Sequence, residues 1–399
     1  MTSSSNPPGS PRRSDALVSA EEVEAEAEAP AMKITRVEAI PFDLPVSSPL
    51  VFATGAVNAV HHVLIRIHTD EGIVGESEAA PRIMTYGDTQ STVVSVVEQV
   101  IEPMLAGADP LAIERVGARL GTMAGNHCAR AAVDLALHDL RGKFLGQPCH
   151  RLLGGYADDV AVSYMLSFGD PDEVAESAAA VNADYGVTAF KIKVGAGLAQ
   201  DVRTCRNVRR AVGDSAVLYI DANHGYGAEE AVRLLGTVSD LGIAWFEEPS
   251  PAAAAAAARR LAANSPIPIA GDERCRTVSE TAAEIRAESI SRVSIKTART
   301  GFSESGRILA MVGGLGVPAA VGSQFETGLG VLSSVSFAAA VPETAGNPVE
   351  ATSFLDLADD ILINRPTIRN GRMSPPGLPG IGAQIDEDKL RYFAVRRSG

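Results

Sequence analysis

Hydrophobic and polar positions along the chain change period twice. From 33 to about 80 the alternation has a period of two: 33–40 predicts a strand, while 63–69, the turn Asp70-Glu71-Gly72 and 73–76 predict a hairpin. From about 88 to 146 the period becomes helical, with one stripe of Val93, Val96, Val97 and Val100 and a second of Ala132, Leu135, Ala136 and Leu140. Strands followed by helices predict an α+β unit. After Gly155, short apolar runs at 160–166, 189–194, 217–221, 243–247, 267–272, 293–296 and 317–322 alternate with segments of helical length. Seven βα units at a spacing of roughly 25 residues predict a TIM-type barrel, with a doubly wound sheet as the competing architecture. Beyond Pro342 the pattern weakens, and 375–380 reads as loop.

Composition narrows what such a protein does. The 399 residues are 46% apolar, enough for a large core. Basic residues number 35 against 49 acidic ones, a balance of −14, and they are scattered, so no nucleic-acid partner is expected. No apolar run approaches the ~18 residues of a membrane span, so no membrane partner is expected either. The four cysteines, Cys128, Cys149, Cys205 and Cys275, show no CxxC spacing and read as reduced thiols, which predicts a cytoplasmic protein. The stretch 1–31 is rich in Ser, Pro, Ala and Glu; it lacks the apolar run of a secretory signal, is too acidic for a transit peptide, and reads as a disordered tail.

The chemistry lies in how the apolar runs end. The second ends Lys191-Ile192-Lys193, the third Asp221-Ala222-Asn223, the fourth Glu247-Glu248-Pro249, the fifth Asp272-Glu273 and the sixth Lys296, while Gln324-Phe325-Glu326 follows the seventh. The steps 193→221→247→272→296 are one βα unit each, and strand C-termini of a barrel converge on one mouth. Asp221, Glu247 and Asp272 would then stand close together, which is costly without a cation between them. All-oxygen ligation suits Mg²⁺, and no His or Cys cluster favours zinc. Taken singly, each acid could equally cap a helix. Lys193 and Lys296, two and six strands along, are expected on opposite sides of the mouth. Each, beside a dication and another lysine, is expected to be lowered from ~10.4 towards neutrality, as a general base requires. Lys191, two residues before Lys193, points the same way and presses on it as a like charge.

With these residues the chain resembles the enolase superfamily, in its muconate-lactonizing subgroup, from Met32 to the C-terminus. The motifs are Lys-x-Lys at 191–193, Asp221-Ala222-Asn223, Phe246-Glu247-Glu248-Pro249, Gly271-Asp272-Glu273, and Ile295-Lys296 followed by Ala298-Arg299-Thr300-Gly301; the stretch 131–155 is similar to the family's join between cap and barrel. The resemblance implies an α/β fold, a modified TIM barrel (β/α)7β with an α+β capping domain. Its parts would be the cap at 32–155, the barrel at 156–340 and a C-terminal segment at 341–399 completing both. It also implies a Mg²⁺-dependent isomerase (Mn²⁺ substituting) that forms an enediolate α to a carboxylate, with Lys193 and Lys296 as acid and base.

The same resemblance implies metal ligation by Asp221, Glu247 and Asp272, support from Lys191, Asn223, Glu273 and Glu326, and a homo-oligomer acting on a small carboxylate. No His follows His224, which sets the chain apart from mandelate-racemase relatives that use a late His base. A muconate-cycloisomerase-like enzyme is the leading expectation. Racemases or epimerases of N-acyl amino acids or dipeptides, a carboxylate dehydratase and a non-catalytic binding descendant are the alternatives. The segment 356–360 departs from the Asp-x-Asp spacing of dipeptide epimerases. Phe52, Arg82, Tyr86 and Arg299 are expected to meet the substrate, Arg82 pairing with a second carboxylate.

Overall fold

The computed structural model describes residues 32–52, 55–251 and 255–395, together with Met1. The predicted tail beyond Met1, and the side chain of Phe52, lie outside the described residues. Strands β1 (Ile34–Phe52) and β2 (Gly55–Thr69) form a long antiparallel hairpin, Ile40 opposite Leu64 and Phe42 opposite His62, and β3 (Val74–Ala79) returns along β2. Both long strands run well past the predicted limits. The extra length carries Pro41, Pro45 and Pro49 and a register shift between Pro45 and Leu50, which erases the alternation that a sequence pattern needs.

The helical part of the cap follows, with α1 (Ile83–Tyr86), α2 (Gln90–Val96), α3 (Ile113–Leu120) and α4 (His127–Leu145), and with single helical turns at Glu102–Leu105 and Cys149–Leu152. The predicted stripe of Val93, Val96, Val97 and Val100 is out of phase: the buried residues are Val93, Val94, Val97 and Ile101, and Val100 is exposed. The buried set 93, 94, 97 and 101 still has helical spacing, with Val94 and Ile101 in the places expected of Val96 and Val100, and the chain passes through a π turn over Val97–Ile101. The second stripe is buried in full, as is nearly every position of α4 from Cys128 to Leu140, for this helix is enclosed by the cap sheet on one side and the barrel on the other.

Eight parallel strands make the barrel: β4 (Val160–Leu166), β5 (Ala189–Lys193), β6 (Val217–Asp221), β7 (Ile243–Glu247), β8 (Ile269–Gly271), β9 (Arg292–Ile295), β10 (Ala319–Val321) and β11 (Val349–Glu350). From β4 to β10 each strand pairs in parallel with the next in sequence, and β11 pairs in parallel with β4, which leaves β10 and β11 at the seam of a nearly closed barrel. The fold is therefore the barrel with an antiparallel-sheet cap, and the doubly wound alternative is excluded. The helices after β4 to β10 are α5 (Pro171–Tyr185), α6 (Leu198–Val212), α7 (Ala228–Val238), α8 (Ala255–Asn264), α9 (Val278–Arg286), α10 (Thr297–Gly314) and α11 (Gly328–Ala338). A short strand β12 (Arg372–Met373) lies antiparallel on β4, and α12 (Glu387–Phe393) returns the chain to β1. All four cysteines are buried and unpaired, and among the described residues no helix is long and apolar enough to cross a membrane.

Two buried carboxylates of α4 fix the cap to the rest. Asp139 accepts from the backbone N–H of Glu76 at 2.8 Å and of Ile381 at 2.7 Å, tying cap sheet and C-terminal segment to one helix. Asp134 accepts from the N–H of Phe302 at 2.7 Å and of Ser303 at 3.0 Å, where α10 is interrupted by Gly301 at φ 64°. A Cβ on Gly301 would lie 2.4 Å from the Asp134 Oδ2 atom. Gly301→Ala combines that overlap with a left-handed backbone, so it should cost about 2 kcal/mol or more. Gly306→Ala, on the same helix with nothing near its Cβ position, should be neutral or stabilising. Thermal denaturation of the two variants checks this; equal melting temperatures would contradict the cap–barrel staple.

Candidate active site

Pairing register sets the charged groups side by side. Lys193 lies opposite Asp221 between β5 and β6, and Asp221 opposite Glu247 between β6 and β7. Asp272 and Lys296 directly follow β8 and β9. Among the described residues, four of the seven non-glycine residues at positive φ, namely Asn223, His224, Glu248 and Phe325, sit just past strand ends here, so backbone strain is concentrated at the mouth.

Lys193 donates from Nζ to Asp221 Oδ2 and to Asn223 Oδ1, both at 2.6 Å. Asn223 in turn donates to Glu273 Oε1 at 2.8 Å. Lys296 forms an ion pair with Asp272 Oδ2, and Arg299 donates to Asp272 Oδ1 at 2.6 Å. The two lysines therefore lean on different carboxylates and front one cavity of about 50 Å³. Its remaining walls are Met165, Asn223 and Glu273 from the barrel, Ser323, Gln324 and Phe325 after β10, and Arg82, Thr85 and Tyr86 from the cap.

Lys191 does something other than press on its neighbour. Its Nζ lies 2.6 Å from Glu350 Oε1, 2.9 Å from Glu247 Oε1 and 3.3 Å from Asp221 Oδ2, and it sits beside the Tyr219 ring with almost no exposure. Its charge is taken up by acids beneath the cavity, among them Glu350 on β11, a residue the sequence reading missed because a two-residue strand leaves no pattern.

Arg299 is also relocated. Its side chain is fully buried beneath Asp272 and donates to the Tyr86 hydroxyl at 3.1 Å, so it positions a carboxylate and a cap residue rather than lining the cavity. Glu326 likewise lies behind the wall: it accepts from Ser323 Oγ, and Ser323, Gln324 and Phe325 take the places facing the lysines. Arg82 and Tyr86 do line the cavity, Arg82 with its guanidinium 5.7 Å from the Phe325 ring centre.

The ionisation balance follows from burial and these pairs. Burial opposes the charge on Asp221, yet the Lys193 and Lys191 ammoniums bring it down to about 2. Burial, then the neighbouring Asp221 and Glu350, push Glu247 well above the carboxylate range against the pull of Lys191. Glu273 is pushed up to about 7 by burial and by Asp272 and Glu248. Lys296 runs against the sequence expectation: burial lowers it, but Asp272, Tyr86 and Glu273 hold it well above the ordinary lysine range. Lowering it to neutrality requires a cation that competes for those same carboxylates.

The donor set fits such a cation. Glu273 Oε2 is a buried oxygen without a hydrogen-bond partner, Asp272 Oδ2 is held only by the Lys296 ammonium, and Asp221, Glu247 and Asp272 at consecutive strand ends offer the oxygen ligands that suit Mg²⁺. The side chains of His224, Glu248 and Glu273 also bring one ligand atom each to within 4.8 Å of one another. In that group Glu248 is committed to the Asp272 N–H and the Arg274 Nε–H, both at 2.7 Å, His224 Nδ1 donates to the Ser250 carbonyl at 3.0 Å, and Glu273 accepts from Asn223 through Oε1, which leaves its Oε2.

Known proteins place this arrangement in a family. Residues 173–389 match the family model for the enolase C-terminal domain-like fold, and residues 36–154 match that for the mandelate racemase / muconate lactonizing enzyme N-terminal domain. The chain belongs to this family of the enolase superfamily. It is 30% identical to an N-succinyl-L-Arg/Lys racemase of Bacillus cereus, over 91% of this chain and 98% of the relative. It is 31% identical to an L-Ala-D/L-Glu epimerase of Bacillus subtilis, over 88% and 96%. A solved structure of a muconate lactonizing enzyme from Mucobacterium Smegmatis, complexed with muconolactone, is similar at a TM-score of 0.90 and 38% identity, covering 91% of this chain and 100% of that one. These relatives are isomerases, and the chain is an enzyme of that group.

Glu273 supplies a pH test. Because its folded value near 7 exceeds the ordinary 4.5, the folded state binds the proton more tightly, and stability is lost as pH rises from about 4.5 through 7. The loss is on the order of 3 kcal/mol. Glu273→Gln should remove that slope. Melting temperatures from pH 5 to 8 in the presence of chelator check it; parallel profiles for wild type and variant would contradict the assignment.

Proposed function

We propose that the chain is a Mg²⁺-dependent isomerase that moves a proton at a carbon α to a carboxylate, through an enediolate, in the manner of a muconate cycloisomerase. The observation that carries this reading is the single cavity fronted by Lys193 and Lys296, each held by a different strand-end carboxylate. The 38% identity to a muconate lactonizing enzyme over nearly the whole chain favours the cycloisomerase within the group.

Asp221, Glu247 and Asp272 would hold the Mg²⁺, or Mn²⁺ in its place. When bound, the dication offsets the negative charge of the substrate carboxylate and of the enediolate. Asn223 and Asp221 fix the Lys193 Nζ, so that its proton is directed into the cavity from one side. Lys296 Nζ stands at the other, set by Asp272. In a cycloisomerisation one carboxylate oxygen adds to the alkene of the same molecule, and one lysine delivers the proton to the α-carbon while the other supports the charge. Arg82, half-buried at the cap side, would meet the second carboxylate of a dicarboxylate such as cis,cis-muconate. The cap at 32–155 thus selects the substrate, the barrel at 156–340 does the chemistry, and 341–399 completes both.

Racemisation of an N-acyl amino acid is the second reading, favoured by the two opposed lysines and the Bacillus cereus relative. A dipeptide is disfavoured by the eighth strand. An ammonium there would need a free carboxylate, but Glu350 is bound to Lys191. Further along, Asp356 accepts from Tyr164, Asp359 pairs with Lys389, and Asp360 accepts from the Gly328 N–H. The non-catalytic reading is disfavoured because no acid or lysine of the site has been lost.

The test follows the substrate by NMR in D₂O, across muconates, N-succinyl amino acids and dipeptides, with and without EDTA. Lactone formation from a muconate, abolished by EDTA and restored by Mg²⁺, is expected. Exchange confined to N-succinyl amino acids would replace the cycloisomerase with the racemase, and full turnover in chelated enzyme would contradict the mechanism.

A further inference from the structure

We propose that a second cavity, at the seam between cap and barrel on the far side of Arg299 from the lysines, binds one small oxyanion of the carboxylate or phosphate class between Arg130, Arg276 and Arg299. The cavity is about 110 Å³, room for a single small anion or a few waters and far too little for a nucleotide. Its walls come from α4 (His127, Arg130), the segment before α9 (Arg276) and α10 (Arg299, Ser303, Arg307). Four guanidiniums facing one space are unexpected in a chain of net charge −14.

Two observations indicate that an anion is wanted here. The Nε–H groups of Arg130 and Arg299 are both buried and without a hydrogen-bond partner, and Arg299 is almost completely enclosed. A buried guanidinium N–H left unpaired is costly, and it is directed to an acceptor in most folded proteins. The other charges show where compensation is lacking. Arg276 is paired with Glu280 at 2.7 Å, Arg307 with Glu114 and Glu304, and Arg299 with Asp272. Arg130 has no ion pair among the described residues, and its Nη1 reaches only the carbonyls of Met123 and Gly125 at 3.4 and 3.5 Å.

Two acids also line the cavity, and both are already engaged: Asp134 accepts from the Phe302 and Ser303 amides, and Glu304 accepts from the Val278 amide and pairs with Arg307. Helix α4 opens at Asn126 without a side-chain cap and with no acid in its first turn, so nothing at that end competes for the anion. Burial together with Arg276 and Arg130 pushes the His127 imidazole below its ordinary value, consistent with a local excess of positive charge. An anion in this place would bridge α4 of the cap to α9 and α10 of the barrel, and would stiffen the seam that Arg299 and Tyr86 cross.

The full-length protein is titrated calorimetrically with inorganic phosphate, and separately with acetate, at constant ionic strength set by chloride. Saturable one-to-one binding of at least one anion is expected, with a rise in melting temperature. Arg130→Gln should weaken it tenfold or more while leaving basal turnover unchanged, and Lys193→Met should leave the binding intact. Arg276→Gln carries the same test should Arg130→Gln fail to fold. Three results would overturn the proposal: no saturable binding of either anion, binding that survives both arginine substitutions, or binding that disappears in Lys193→Met, which would place the anion at the lysine cavity.

Discussion

Like charges brought together out of water are the constraint on which this structure depends. Asp221, Glu247, Asp272, Glu273 and Glu350 crowd one end of the barrel, all largely buried. Their repulsion is compensated by Lys191, Lys193, Lys296 and Arg299, each within hydrogen-bond or ion-pair distance of at least one of them. Removing one partner from such a set strands the others, typically at a cost of ~3–5 kcal/mol. Lys191 shows how far the compensation reaches: by binding Glu350 as well as Glu247 it fixes β11 against the rest of the barrel, although that strand is only two residues long.

The cap is drawn into the same network. Tyr86 takes a hydrogen bond from Arg299, which also donates to Asp272, so the cap segment that closes the cavity is linked through one side chain to a proposed metal ligand. Glu78 of β3 accepts from the backbone N–H of Thr327 at 2.8 Å, and Gln324 donates to the carbonyl of Ala80 at 2.7 Å. These contacts hold the residues after β10 where Ser323, Gln324 and Phe325 form a wall. The cavity is thus enclosed by hydrogen bonds that cross between cap and barrel, which keeps water away from the lysines and strengthens each charge interaction inside.

Much of this was legible in the chain because charged residues at the ends of apolar strands break a pattern conspicuously. Lys193, Asp221, Glu247, Asp272 and Lys296 stand out for that reason, and regular spacing puts them at one mouth. Other features depend on information that a linear pattern lacks. The phase of the Val93 stripe is set by packing against the cap sheet, the extent of the cap hairpin by prolines and a register shift, and β11 by pairing rather than by composition. Arg299 and Glu326 follow strand ends as the residues lining the cavity do, yet they turn into the wall, and only packing decides which way a side chain after a strand end points. The elevated Lys296 has the same origin, since its partners Asp272 and Tyr86 come from distant parts of the chain.

The central claim is that Lys193 and Lys296 serve one α-carbon from two sides. The most direct measurement is solvent deuterium incorporation by Lys193→Ala and Lys296→Ala, each read for rate and for the face labelled, on whichever carboxylate the wild-type enzyme turns over. The account predicts that one substitution abolishes labelling of a given face, at a cost of at least ~10²–10⁴-fold in rate, and that the other substitution leaves that face's identity unchanged in any residual turnover. Wild-type rate and labelling in both variants would contradict it.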